Sequence, residues 1–158
     1  LISPQDRAEC FNNTGKLIIL HGEYGCGKRC VAKRLEQVLF EKEYHTYYFG
    51  ISNYFEQLDH DVQRLAMDRE QHLEKLGQMA RVITDAGILL ITTIIDADDY
   101  DFEKLSTLSM PNDIFVINIG ENEFTKFPID VQLPYRPDMD QAIETILGKM
   151  KKENILLD

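Results

Sequence analysis

The sequence predicts a three-layer α/β domain, a mostly parallel five-stranded sheet flanked by helices, on three observations. Short apolar runs alternate with amphipathic stretches, the order expected of strands joined by crossover helices. The first run, KLIILH at Lys16–His21, ends in a glycine-rich turn that opens a helical pattern. A later run, GILLITTII at 87–95, is apolar on both faces, as a strand covered on both sides has to be.

Each element follows from its own pattern. Over Lys28–Glu41 apolar residues recur at Val31, Leu35, Val38 and Leu39 with charges between them, which is helical spacing. HTYYFGI at 45–51 is aromatic and β-branched and predicts a second strand. Asp68 and Arg69 open a longer helix with an apolar stripe at Leu73, Leu76, Ala80 and Ile83, which Gly87 stops. After the 87–95 strand, a charged segment bearing Leu105 and Leu108 predicts a helix. Pro111 and Asn112 then turn the chain into DIFVINI, a fourth strand at 113–119. A weaker fifth strand lies at 129–133, and Ile143, Ile146, Leu147 and Met150 mark one side of a last helix. Strands alternating with helices imply parallel pairing and right-handed crossovers.

The bulk numbers limit the class. A chain of 158 residues suffices for one ordinary domain, expected to span 1–158, and 44% apolar residues argue against disorder. The longest apolar run, 88–95, is broken by two threonines and falls far short of a membrane span. A net charge of −10 argues against a nucleic-acid-binding or anionic-membrane surface, since both demand a basic field. It leaves room for a nucleotide site, which needs only local positive groups. The three cysteines, Cys10, Cys26 and Cys30, lack paired metal-ligand spacing, and reduced thiols in a cytoplasmic protein are expected. Residues 1–7 are mixed and polar, unlike a secretory leader, and the first residue is Leu1 rather than Met, as in a fragment of a longer protein.

The turn after the first strand reads GEYGCGKR: Gly22, Glu23, Tyr24, Gly25, Cys26, Gly27, Lys28 and Arg29. It satisfies the first seven positions of the phosphate-loop pattern. Glycines let the backbone curl so that its amides face phosphate oxygens. The helix opening at Lys28 presents unsatisfied N–H groups and a positive dipole end to the same anion. Lys28 is expected to reach the outer phosphates as a point charge and so to be the catalytic group. ATP or another nucleotide is the ligand expected. At the eighth position Arg29 replaces the Ser or Thr whose hydroxyl holds Mg2+, and a guanidinium coordinates no cation, so a metal is not assigned. Arg29 either contacts phosphate itself or points outward.

The run MDREQHLEKLGQMARVITDAGILLI at 67–91 resembles the adenylylsulfate kinase family at Asp68, Arg69, Gly77, Ala80, Asp85, Ala86 and Gly87. The upstream strand, the loop and the phrase AKRLEQVLFEKEYHTYYF are similar too, so the likeness covers roughly residues 15–95. It implies a P-loop kinase fold. The implied activity is transfer of the terminal phosphoryl group of ATP to the 3′-hydroxyl of adenylylsulfate, a step of sulfate activation. The implied partners are nucleotide, adenylylsulfate, other domains of a fused sulfate-activation protein, and a second copy in a homodimer. By the same likeness, Asn53 and Arg69 would hold the acceptor.

Other family positions depart. The family's DGDN falls on Gly50, Ile51, Ser52 and Asn53, so both carboxylates are lost. Its next arginine falls on Phe55, its adenine-stacking aromatic near Arg64, and an asparagine and an arginine on His72 and Glu74. Its Ser-Pro and arginine after the third strand become Asp96, Ala97 and Asp99, in the acidic stretch DADDYD, expected as a solvated loop rather than a metal site. The family's basic lid is replaced by GENEFTKFP, about nine residues whose sole cation is Lys126, too short for a lid. Catalysis is therefore expected to be weakened or lost. The alternatives are a non-catalytic nucleotide-sensing or docking module of a sulfurylase or GTPase fusion, and a kinase for a cationic acceptor.

Further expectations concern single residues. His21 should be a packed, hydrogen-bonded core histidine, and His60 and His72 lack a ligand partner in register. Tyr44, Tyr47, Tyr48 and Phe49 should pack the strand, while Tyr24 is the better candidate to touch a nucleotide. Cys26, among the loop amides, should react quickly with alkylating reagents.

Overall fold

The computed structural model describes residues 1–50 and 69–158, Arg69 by its backbone alone. The elements run α1 Pro4–Phe11, β1 Lys16–His21, α2 Lys28–Glu41, β2 Thr46–Tyr48, α3 Arg69–Asp85, β3 Leu89–Ile94, α4 Asp99–Ser109, β4 Ile114–Ile119, β5 Val131–Leu133 and α5 Met139–Lys152. The strands form one sheet in the order β2-β3-β1-β4-β5, and all four pairings are parallel. Ile18 of β1 lies opposite Ile91 of β3 and Phe115 of β4.

Period-two geometry explains why the central strands read as unbroken apolar runs. Ile18, Leu20, Leu89, Ile91, Phe115 and Ile117 face one core, closed by Leu35 and Leu39 of α2 and Ile146 and Met150 of α5. Leu17, Ile19, Leu90, Ile114 and Val116 face the other, closed by Leu73, Leu76 and Ala80 of α3 and Phe102 and Leu105 of α4. A strand covered on both faces must be apolar at every position. Each fully buried Leu or Ile contributes roughly 1.5–3 kcal/mol relative to exposure.

The helices are set by their ends as well as their stripes. α3 stops where Gly87 takes a φ of +89°. Midway along it, a Cβ on Gly77 would stand 2.5 Å from Leu108 Cβ, so the glycine admits the close approach of α4. α1 was not anticipated, although its start was legible. Ser3 accepts from the Asp6 amide at 3.0 Å, Asp6 accepts from the Ser3 amide in return, and Pro4 occupies the first turn. Buried Asn13 then stitches the start of the domain together, donating to Gly87 O and accepting from the His45 amide, both at 3.0 Å.

Some boundaries differ from the sequence reading. β2 is only three residues, and β5 begins at Val131 rather than at 129. Tyr44 is buried as expected of a packing aromatic, but Tyr47 on the edge strand is exposed. Among the described residues no helix is long and apolar enough to cross a membrane.

Candidate functional site

The loop at 22–29 sits between the C-terminal end of β1 and the first turn of α2. Gly25 and Gly27 carry φ of +83° and +98°, a conformation side-chain-bearing residues resist. Gly27 is the N-cap of α2 and no side chain caps that end, so the first-turn amides are available to an anion. A Cβ on Gly22 would lie 2.4 Å from Cys26 Sγ and 2.7 Å from Ile119 O, so the curl needs glycine there as well. Lys28 Nζ donates to Glu23 O at 3.4 Å from a half-buried side chain at the mouth of the loop, and no described carboxylate pairs with it. Tyr24 and Arg29 are exposed on the outer rim.

Cys26 is a correction. Its side chain is fully buried beneath the curl and belongs to the core shared with β1, α2 and α5. A thiol closed off from solvent does not meet a reagent quickly, whatever the charge around it.

Sequence reasoning missed the support behind the loop. In the segment between β5 and α5, the Arg136 amide donates to Cys26 O at 2.9 Å, and Arg136 Nε donates to Gly25 O at 3.1 Å. Arg136 itself takes a φ of +47°, and its guanidinium lies over the Tyr135 ring at 5.5 Å. The signal was Pro134 and Pro137 bracketing two large residues just before the α5 cap, Asp138.

A cavity of about 730 Å³ opens beside the loop, lined by His21, Gly22, Ala97, Ile119, Gly120 and Tyr135 together with Glu23, Asp96, Asp98, Glu121 and Glu123. Among the described residues no Lys or Arg lines it. In the acidic stretch 96–101, Asp96 and Asp98 are exposed as expected, but residues 99–101 open α4 rather than continuing a loop. Asp98 caps α4, accepting from the Asp101 amide at 2.9 Å while Asp101 accepts from the Asp98 amide at 3.1 Å. Asp99 accepts from Thr125 Oγ1 and from the amides of Thr125, Lys126 and Phe127 at 2.9–3.2 Å. The Phe127 amide leads these bonds in holding its carboxyl down at about 2. The connector between β4 and β5 is thus tied down on α4, with Phe124 and Phe127 packed into the core beneath. Among the described residues no group of three or more His, Cys, Asp or Glu is arranged to hold a metal ion.

His21 closes the wall between loop and cavity. Its Nδ1 lies 2.9 Å from Asn118 Oδ1, and its Nε2 accepts from the Ala97 amide at 3.1 Å. Asn118 Nδ2 donates to Glu121 O and Gln132 Oε1, both at 3.0 Å, which fixes the orientation of its amide. The ring meets Phe102 and Phe124 edge-on. This is the packed, hydrogen-bonded histidine expected. Of the residues assigned to the acceptor, Asn53 lies outside the described residues, and Arg69 begins α3, its side chain likewise outside them.

A doubly covered parallel sheet with a glycine-curled loop leading into an uncapped helix defines a domain of the P-loop kinase class. The family model for adenylylsulphate kinase matches residues 14–116, well over half of the chain, and the chain belongs to that family. The adenylyl-sulfate kinase of Prochlorococcus marinus is 25% identical over 171 residues, spanning 89% of this chain and 85% of that protein. That of Shewanella pealeana is 30% identical over 107 residues, 68% of this chain but only 52% of its own length. A structure of the Mycobacterium tuberculosis APS kinase in complex with AMPPNP and APS is similar in fold, with a TM-score of 0.73 at 19% identity over 88% of this chain and 99% of that one.

Proposed function

We propose that residues 1–158 form a single nucleotide-binding domain that takes ATP or another nucleotide on the loop at 22–29, with adenylylsulfate kinase chemistry weakened or lost. The observation that carries this reading is the loop itself, curled at Gly25 and Gly27, opening on an uncapped helix start, with the Lys28 ammonium at its mouth. These groups fit a polyphosphate. If phosphoryl transfer occurs, Lys28 stabilises the charge that gathers on the transferring oxygens, with Arg69 and Asn53 holding the acceptor. Arg29 does not fit a Mg2+ ligand, because a guanidinium coordinates no cation.

The cavity wall supports loss of turnover. A dianionic acceptor entering past Glu23, Asp96, Asp98, Glu121 and Glu123 meets like charge, and among the described lining residues it meets no guanidinium. The connector that a closing lid would need is bound to Asp99 instead. These features favour the second reading, a non-catalytic module that senses nucleotide or docks within a fused, cytoplasmic sulfate-activation protein.

Calorimetric titration of ATP, ADP and adenylylsulfate with and without Mg2+, paired with a turnover assay, separates the readings. Binding of ATP or ADP without turnover is the outcome expected. Mg2+-dependent turnover of adenylylsulfate that vanishes in Lys28→Ala makes the domain an enzyme. Failure of every nucleotide to bind overturns the nucleotide site and leaves docking.

A further inference from the structure

Several segments of the cavity wall meet on one imidazole, and the hydrogen bonds decide its protonation. An amide N–H only donates, so the bond from Ala97 at 3.1 Å requires a bare Nε2. The orientation of Asn118, fixed by its bonds to Glu121 O and Gln132 Oε1, turns an acceptor oxygen toward Nδ1 at 2.9 Å. Both constraints give the same answer: His21 is neutral, with its proton on Nδ1. A second proton, at Nε2, would set two donors face to face.

We propose that His21 is a proton-operated latch on this wall. Neutral, it ties the turn before α4 to the ends of β1 and β4. Protonated, it releases the Ala97 amide and loosens the turn that carries Asp96 and Asp98 into the cavity. Among the described residues, the charged groups on the elements around it include Glu23 of the loop, Asp96 and Asp98 of the turn, Asp99, Asp101, Glu103 and Lys104 of α4, Glu121, Glu123 and Lys126 of the connector, and Lys28 of α2. Carboxylates outnumber ammonium groups in that set, so an imidazolium that has let go of the amide finds anionic neighbours at once. Phe102 and Phe124, packed on the ring, carry that movement to α4 and the connector. The latch is independent of whether nucleotide binds.

Nitrogen-15 NMR of the full chain without nucleotide tests this. The expected spectrum has His21 Nε2 unprotonated at neutral pH. As pH falls and His21 takes up a second proton, the Ala97 amide should lose about tenfold in exchange protection, the effect of one hydrogen bond. His21→Gln places a non-titrating acceptor oxygen near Nε2, so Ala97 stays protected as pH falls. His21→Asn keeps the Asn118 contact without that acceptor, so Ala97 is exposed at every pH. A protonated Nε2 at neutral pH, unchanged Ala97 protection through the titration, or the same pH dependence in His21→Gln overturns the proposal. The wild-type spectra decide it even where a variant does not fold, and none of these outcomes bears on nucleotide binding.

Discussion

Asp99 shows how much one side chain settles here. Its carboxylate takes four donors from Thr125, Lys126 and Phe127, which lower its pKa from 3.8 to about 2. A depressed acid stabilises the fold above the unfolded value and stops doing so as pH falls through the folded one. Asp99→Asn should therefore lower the urea midpoint by a constant amount above about pH 4, and the gap from wild type should close as pH falls toward 2. At the loop, Lys28→Ala should weaken ADP binding by about ten- to a hundredfold in calorimetry, the range of one charge-assisted hydrogen bond. Iodoacetamide followed by peptide mapping should find Cys10 and Cys30 modified well before buried Cys26. Residue identity alone placed Lys28 and the glycines, because the pattern and its chemistry are local. It misjudged Cys26 and missed the capping role of Asp98 and the bonds that Asp99 accepts, because burial and tertiary hydrogen bonds depend on what folds over a residue from elsewhere in the chain.

The elements were legible wherever their period was clear. β1 and α2 have the bounds read from the sequence, and β3 and β4 differ only at their ends. α1 escaped because its apolar content is slight, and only its capping box announces it. Ser3→Ala should cost about 1 kcal/mol, seen as a lower thermal midpoint with early loss of α1 helicity. The contact between α3 and α4 makes a sharper test. Gly77→Ala gains helix propensity, but its Cβ would stand 2.5 Å from Leu108 Cβ. The clash should prevail, with a net loss of about 1–3 kcal/mol in denaturant melts. Leu108→Ala in the same chain removes Cδ1 at 2.9 Å but keeps the Cβ at 2.5 Å, so it should leave most of that loss in place.

For the whole molecule, charge competes with the local chemistry of the loop. A net charge of −10 and the five described carboxylates around the cavity repel a polyphosphate, while Lys28 and the α2 amides attract it at short range. Screening weakens the longer-range repulsion more than close contacts, so the affinity for metal-free ATP should rise from low to moderate salt, against the usual trend. Falling affinity would mean that the carboxylates do not govern entry. The fold class followed from alternation along the chain, while the cavity arises from four separate connections meeting at the ends of β1, β3 and β4, an adjacency no local pattern encodes. The sheet's proportions have one more consequence. Three central strands of six residues are flanked by border strands of only three. So brief a border gives a neighbouring molecule little ribbon to extend, which discourages fibril growth through the sheet even at high concentration.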